Sequence, residues 1–309
     1  MQEVLRTCLS ILHYTKKKIR RAKRATNLDR FKGHYGVLPV VVCELIQDLQ
    51  TELTGKLHIP RKKMVLQYLL MALHHLKRYP TELEREPLFD ISFSQGRLWI
   101  WYFIERIRAL KHLKIRWPDD GFGDDIWVLT VDGQHCWIQE PQHPTWSIDT
   151  EYYSHKYAKA GLNYELGIAI RDSHLIWMTG PFPAGNSDNK VFKQEGLRAK
   201  LIETKKRGIA DSGYPGSPKL LSTPNKHDSK AVRKFKSRAL KRHERFNGMM
   251  KEFESISGRF RHSVERFGDC FEAIAVLCQY RCEHGEPLYD VLVDDCKVSS
   301  VTLLPQGIY

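Results

Sequence analysis

Paired cysteines, long apolar runs and a secretory leader are what this sequence lacks. Its 309 residues hold seven cysteines, an odd number without a C-x-x-C pair, so a disulfide framework is not expected. No apolar run approaches the about 20 residues of a membrane-spanning helix. At the N-terminus the bases follow the apolar stretch, which reverses the order found in signal peptides. We therefore expect a soluble, intracellular protein.

A zinc site is the remaining use that the cysteines suggest. Cys270, Cys278, Cys282 and His284 are close in sequence, and these residue types bind zinc. Their setting, "CFEAIAVLCQYRCEHGEPL", has small apolar residues at helical spacing. We interpret these cysteines as thiols of a packed helix.

Acids are fewer than bases. There are 36 Asp and Glu against 49 Lys and Arg, a formal net charge of +13. Such a surplus favours a polyanionic partner, either nucleic acid or an anionic membrane. The bases are dispersed and no amphipathic anchor accompanies them, which argues against a membrane surface. The cluster at residues 16–24, "KKKIRRAKR", fits a solvated charge run, a nuclear-import signal or an arm on DNA.

The first third of the chain has helical periodicity. "MVLQYLLMALHHLKRYP" repeats apolar residues at three- and four-residue steps and ends at Pro80. Thr81 and Glu84 fit a capping box, and a turn near residues 90–94 precedes an aromatic-rich helix. This pair predicts a helix-turn-helix-like arrangement, although any all-helical bundle contains such pairs. The aromatic group is interpreted as core rather than as a base-stacking platform: Trp99, Trp101, Tyr102 and Phe103.

Strand patterns begin after Gly121 and Gly123. The segments 126–133, 162–170 and 175–182 predict strands, a helix follows at 189–206, and short strands follow near Asp211 and at "KLLSTPN". A long basic helix is predicted from about residue 229 to 254. This order predicts a mixed α/β fold.

Three carboxylates stand out in that part of the chain. Asp132 and Asp211 end strands, and ligands gather outside the carboxyl ends of strands in open α/β sheets. A strand-ending Asp-Gly is by itself more often a turn. Glu244 lies opposite the apolar stripe of its helix, so the pattern alone makes it a solvent-facing glutamate. Asp188 precedes a helix and is expected first as an N-cap.

Several ordered blocks resemble Harbinger/PIF-like DDE transposases. They include "VLTVDGQHCWIQEP", "GPFPAGNSDNKVF", "GIADSGYPG" and "RALKRHERFNGMMKEF". The resemblance covers roughly Lys62 to the C-terminus. It implies an RNase H-like mixed-sheet catalytic core preceded by an all-helical segment with a helix-turn-helix-like pair. The implied domains are a basic N-terminal region with a helix at 1–60, a helical DNA-binding segment at 61–118 and the catalytic domain at 124–309.

Matching the blocks residue by residue implies a catalytic, metal-binding triad of Asp132, Asp211 and Glu244. Asp132 would bridge two Mg²⁺ ions ~4 Å apart, each of the other acids would hold one ion, and Mn²⁺ could substitute. The resemblance further implies supporting roles for four residues: Asp188, Gly213, Tyr214 and Lys251. For His135, His143 and His155, hydrogen bonding is expected rather than metal ligation.

The implied reaction is cleavage of DNA phosphodiester bonds followed by strand transfer, in the nucleus. The implied partners are transposon-end and target DNA, and a second copy of the chain or an accessory DNA-binding protein. Bases of the long helix are expected to contact phosphates: Lys230, Arg233, Lys234, Lys236, Arg238, Lys241, Arg242 and Arg245. Two alternatives stay open, a domesticated DNA-binding protein without nuclease activity and a nuclease without strand transfer.

Overall fold

The structure, a computed structural model, describes residues 1–52, 65–119, 121–139, 150–194, 196–215 and 217–291. These residues form two compact units. One comprises Met1–Lys114 and Met249–Glu286, and the other comprises Ile115–Gly248 and Pro287–Tyr309, each as far as it is described. The units are defined by packing, so the three functional segments expected from the sequence stay predictions. The expected boundary at 60 and 61 lies outside the described residues.

The first unit is helical. Its elements are α1 (Gln2–Ile11), α2 (Lys16–Arg21), α3 (Arg24–Tyr35), α4 (Pro39–Glu52), α5 (Val65–Arg78), α6 (Glu82–Phe89), α7 (Phe93–Ala109), α8 (Lys111–Lys114), α12 (Glu254–Ser257) and α13 (Val264–Glu283). Among the described helices of the whole chain, none is long and apolar enough to cross a membrane.

The predicted pair of α6 and α7 is present. At the start of α6, Thr81 Oγ1 accepts the amide hydrogen of Glu84, and Glu84 Oε2 accepts that of Thr81 at 2.7 Å, which confirms the capping box. Asp90 ends the helix in the left-handed region, with φ 52°. The turn prediction is therefore confirmed, while a DNA-binding role for the pair stays a prediction.

The aromatic residues of α7 pack inward. Trp99 and Phe103 are buried, and the Trp99 ring stacks on Tyr68 of α5 with centroids 4.6 Å apart. Trp101 and Tyr102 are half-buried. The interpretation of this group as core is confirmed for Trp99 and Phe103. The cysteines of α13 are likewise buried thiols.

The second unit is built on a sheet. Its elements are β1 (Trp127–Trp137), β2 (Tyr153–Ser154), β3 (Lys159–Ala169), β4 (Leu175–Pro183), α9 (Asp188–Gln194), α10 (Leu197–Glu203), β5 (Arg207–Ala210), β6 (Leu221–Ser222) and α11 (Lys230–Lys251), whose last three residues belong to the first unit. A 3₁₀ turn lies at Thr150–Tyr152.

The sheet is mixed, which confirms the predicted α/β class. Its order is β2-β3-β1-β5-β6, and β4 also pairs with β3. The strand β1 runs antiparallel to β3 and parallel to β5, and β5 runs parallel to β6. The helices cover both faces. Phe192 of α9 and Leu201 of α10 share a cluster with Val131, whereas Phe235 of α11 shares one with Ile209. Burial on both faces explains the continuous apolar run "IWVLTV" before Asp132.

Three predicted elements have different bounds in the structure. The strand expected to end near Asp132 continues to Trp137, because antiparallel pairing with β3 extends to Trp137 and Gly161. The helix expected at 189–206 is two helices, and Gly196 begins the second with φ 96°. The possible strand in "KLLSTPN" pairs over Leu221 and Ser222.

Candidate active site

Asp132 and Asp211 are neighbours across β1 and β5. The parallel register pairs Val131 with Ala210, so the next residues along both strands are the two acids. Adjacent strands lie about 4.8 Å apart, which brings the two side chains to the same end of the sheet. The chain leaves the sheet after Ala210. Among the described strands, none pairs with that side of β1 beyond Val131, so the acids border an open edge.

Asp188 brings a third carboxylate to the same place. Its Oδ1 lies so close to Gly133 that an added Cβ there would collide with it, and its Cγ lies 3.0 Å from that Cβ position. A Cβ on Gly213 would lie 3.4 Å from Asp188 Oδ2 and 2.9 Å from Asp211 Oδ1. The two glycines therefore form the walls of the space that holds the Asp188 carboxylate.

Asp188 is not an N-cap, so that expectation was wrong. The amide of Lys190 donates to Ser187 Oγ at 3.3 Å, which gives the capping role to Ser187. Asp188 is the first residue of α9. Its carboxylate points toward the other two acids because Gly133 and Gly213 leave room for it there.

Mutual repulsion and burial alter the protonation of these acids. Burial raises the pKa of Asp132 to about 6, the charges of Asp211 and Asp188 add to the rise, and the amide of Gly133 opposes it. Burial also raises the pKa of Asp188, again with a contribution from the charge of Asp211. The exposed Lys156 counteracts both rises. The acids thus gather in a partly dry environment with little compensating charge.

The helix α11 packs on β1 through His243 and Asn247. His243 Nδ1 lies 2.9 Å from Thr130 Oγ1, and Asn247 Nδ2 donates to Asp132 Oδ2 at 3.0 Å. Burial lowers the pKa of His243 to about 3, so this imidazole is neutral. The two residues are one helical turn apart and fix the register between the helix and the strand.

Glu244 is exposed to solvent. It lies about 60° around the helix from Asn247. Among the described residues, none of its contacts reaches Asp132 or Asp211, and its charge acts on Tyr289. The structure therefore brings Asp132, Asp188 and Asp211 together, whereas Glu244 lies on the exposed side of α11 without a described contact to them.

The predicted DNA-contacting bases divide into three groups by burial. Lys236 is buried and binds Asp228 at 2.9 Å. Arg242 is buried and donates to the backbone carbonyls of Ala169, Ile170 and Asp172. The expectation of phosphate contacts does not hold for these two. Arg238 is half-buried against Tyr289, and the others are exposed: Lys230, Arg233, Lys234, Lys241 and Arg245.

The other predicted residues differ in their surroundings. Tyr214 is buried in the cluster with Phe192. Burial raises the pKa of its phenol, and the negative charges of Glu165, Asp188, Asp132 and Asp211 add to the rise. Lys251 is exposed. His135 Nδ1 lies 3.0 Å from Asn163 Oδ1, which confirms hydrogen bonding for His135. His143 lies outside the described residues.

The comparison with known families fits this geometry. Residues 131–279 match the family model of the DDE superfamily endonucleases. The matched segment contains Asp132, Asp188, Asp211 and Glu244. It supports the superfamily and suggests a nuclease that acts on DNA, while the Harbinger/PIF-like group within the superfamily stays a prediction. No curated protein and no solved structure matches the chain.

Endonucleases of the DDE superfamily generally use divalent metal ions, and the acid cluster suits them in chemistry. Its donors are carboxylate oxygens, which Mg²⁺ and Mn²⁺ prefer. The cradle between Gly133 and Gly213 holds the Asp188 carboxylate close to Asp211, and the charges of both acids add to the burial that raises the pKa of Asp132. Within the described part of the chain, no three His, Cys, Asp or Glu side chains are arranged so that they could hold a metal ion. The three acids are therefore neighbours whose side chains do not have the geometry of a complete metal site.

Sequence reasoning missed Asn247 and His243. A usable signal was present, because the apolar stripe on α11 skips from Ala239 to Phe246. Residue 243 fills the helical position between them, so a polar residue there indicated a buried hydrogen bond. Lys156 carried no comparable local signal.

Proposed function

We propose that this protein is a DNA endonuclease of the transposase type, with a metal-dependent site built on Asp132 and Asp211. The observation that carries the proposal is the parallel register of β1 and β5, which sets the two acids side by side at an open sheet edge. Both lie inside the segment that matches the DDE superfamily.

We further infer an RNase H-like core. The support is the strand order, with an antiparallel β4-β3-β1 meander joined to parallel β5 and β6. Helices α9 and α10 connect β4 to β5, and α11 follows β6. In this arrangement Asp132 lies on β1, Asp211 directly follows β5, and the proposed third acid lies on the helix that packs against β1.

Each carboxylate has a group that orients it. Asp132 accepts hydrogen bonds from the Gly133 amide at 2.9 Å and from Asn247 Nδ2 at 3.0 Å. Asp211 accepts one from the Gly213 amide at 2.8 Å. When bound, divalent ions would activate the attacking hydroxyl and neutralise charge on the phosphate. The hydrogen bonds from Asn247 and from the Gly133 amide fix the orientation of the Asp132 carboxylate, so its oxygens face a bound ion in a defined direction.

Two carboxylates, Glu244 and Asp188, are candidates for the third metal ligand of the site. Glu244 is the one that the sequence pattern implies, and it lies on the helix that contacts Asp132 through Asn247. Asp188 is the one that the structure places against Gly133 and Gly213. We propose Glu244 as the third ligand and Asp188 as a supporting carboxylate.

The exposed bases of α11 would hold the DNA backbone. Lys230, Lys234, Lys241 and Arg245 recur at helical steps, so they form one stripe on the face that also carries Glu244. Phosphate contacts along this stripe would bring a DNA strand toward the acids. They also predict strong salt dependence.

The test is cleavage of DNA that carries candidate terminal repeats, in Mg²⁺ or Mn²⁺, with the chelated sample as baseline. Asp132→Ala, Asp211→Asn and Glu244→Gln should each lower the cleavage rate by two or more orders of magnitude, roughly the several kcal/mol that metal ions supply. DNA affinity should be retained. Glu203→Gln, an exposed carboxylate of the same unit, is the matched control.

Asp188→Asn separates the two candidates for the third ligand. Loss of cleavage in Asp188→Asn with full activity in Glu244→Gln would transfer the third role to Asp188. A folded, DNA-binding wild type that never cuts, even with cognate ends and any partner supplied, would favour a binding protein without nuclease activity. A joining assay with the cut ends tests strand transfer.

A further inference from the structure

Two aromatic rings are exposed near the acid cluster. The Tyr157 side chain is 47% exposed and the Trp137 side chain 37%. Lys159 Nζ lies 4.4 Å from the Trp137 ring centroid, and Lys156 Nζ lies 5.2 Å from that of Tyr157. Aromatic faces interleaved with exposed bases are the composition of surfaces that bind single-stranded nucleic acid.

Tyr157 is supported from below by the sheet. Its ring stacks on His135 with centroids 4.5 Å apart and planes 19° apart. His135 is held by Asn163 and lies flat against Gly161, where an added Cβ would collide with the imidazole. One face of Tyr157 is thus fixed to the sheet, while the residue as a whole is 47% exposed, with Lys156 beside its ring.

The distance between the Tyr157 ring and the acids follows from the spacing of residues along β1. His135 and Gly133 share one face of β1, and two strand residues span about 7 Å. Asp188 lies against Gly133, so the stack on His135 stands about that far along β1 from the Asp188 carboxylate. Asp188 and Asp211 also act electrostatically on Lys156. A strand that keeps its rise from the adjoining duplex advances about 3.4 Å per nucleotide, so this separation corresponds to about two nucleotides.

We propose that the open face of Tyr157 stacks with an unpaired base about two nucleotides from the phosphate held at the acid cluster, while Lys156 and Lys159 contact the adjoining backbone. The base must be unpaired, because both faces of a base inside a duplex are already stacked. The inference rests on the proposed function, since DNA has to enter at the acids. It makes the substrate a strand that is frayed, nicked or flipped next to the cleavage position.

The test is the fluorescence of 2-aminopurine in DNA bound to the full chain, with Ca²⁺ in place of Mg²⁺ so that the acids hold a cation while cleavage is suppressed. The probe is placed at each position of a single-stranded tail that joins a duplex end. Wild type should quench the probe most strongly about two nucleotides from the cleavage position. Tyr157→Ala should abolish this quench and weaken binding of the tailed DNA roughly five- to 150-fold, the usual effect of losing one stacked base.

Three controls sharpen the result. Tyr157→Phe keeps the ring and should keep the quench. Ile202→Ala removes an exposed apolar side chain of the same unit and should change nothing. Affinity of Tyr157→Ala for a blunt duplex should stay within about twofold of wild type.

Undiminished quenching in Tyr157→Ala would overturn the stacking proposal, and so would equal weakening for tailed and blunt DNA. These outcomes are separable from those of the endonuclease proposal. If the quenching depends on Tyr157 but the protein never cuts DNA, only the endonuclease proposal is overturned. Cleavage that is intact without such quenching overturns only the stacking.

Discussion

The environment of Asp132 changes the pKa of its carboxyl group. Burial and the charges of Asp211 and Asp188 raise its pKa to about 6, against about 3.9 in an unfolded chain. The folded state therefore binds this proton more tightly. Without metal, the free energy of unfolding should fall as the pH rises from about 4 to 6 and stay lower above that range.

Asp132→Asn should accordingly stabilise the metal-free protein at pH 7.5 by on the order of 1 kcal/mol, because it removes a charge that the fold disfavours. At pH 4.5 the gain should shrink, since the wild-type carboxyl is then mostly protonated. Urea unfolding with chelator at both pH values measures this. Asp119→Asn, a mostly exposed acid, should change little at either pH. If Asp132→Asn changed the free energy of unfolding equally at the two pH values, the raised pKa of Asp132 would be contradicted.

Gly133 is predicted to be intolerant of any side chain. Gly133→Ala would place a methyl group against Asp188 Oδ1 and displace that carboxylate. Metal-dependent cleavage should fall by at least tenfold while the fold persists, as circular dichroism can check. Gly248→Ala is the control, because nothing lies within 4 Å of its added Cβ. That change should stabilise α11 by up to about 1 kcal/mol. Activity of Gly133→Ala at the level of Gly248→Ala would contradict the cradle.

At the scale of elements, α11 shows what sequence reasoning could and could not reach. Its length, its apolar stripe and the exposure of Glu244 followed from helical periodicity. The burial of Lys236 and Arg242 did not, because their partners are Asp228 and the carbonyls of the β3–β4 turn. Nothing local distinguishes these two bases from the exposed ones around them. The position of Asp188 likewise depends on room beside two glycines that are distant in sequence.

Lys236 is predicted to be structural. Lys236→Met would leave Asp228 without its cation in a mostly buried setting and should lower the free energy of unfolding by about 2–4 kcal/mol. Chemical denaturation measures this. The double variant Lys236→Met, Asp228→Asn should recover much of the loss, because no unpaired charge then remains. A single variant as stable as wild type would show that the pair carries no net stability.

The exposed stripe of α11 is predicted to act through charge alone. Replacing Lys230, Lys234, Lys241 and Arg245 with Gln should weaken DNA binding for all sequences alike, since each base neutralises a phosphate. The slope of log K against log salt should drop by about three to four. Fluorescence anisotropy across a salt series gives the slope. An unchanged slope would place the DNA on another surface.

For the whole molecule, the fold class was accessible from the sequence and the site was accessible in part. The order of strand and helix patterns predicted the mixed α/β unit, and the search for acids at strand ends pointed to Asp132 and Asp211, although β1 continues past Asp132. The extension of β1 to Trp137 depends on pairing with β3, and the contact of Asn247 with Asp132 depends on how α11 docks. Both are tertiary effects, so neither had a local signature. The match to DDE superfamily endonucleases spans residues 131–279, which include most of this unit and part of the helical one.

The claim on which the account depends is that the carboxylates at the end of β5 hold a divalent cation. Mn²⁺ binding to the full chain, followed by electron paramagnetic resonance of the free ion, tests it without requiring DNA. Wild type should bind Mn²⁺ with an affinity that Asp211→Asn lowers at least tenfold, while Glu203→Gln leaves it unchanged. Equal Mn²⁺ binding by wild type and Asp211→Asn would contradict the account.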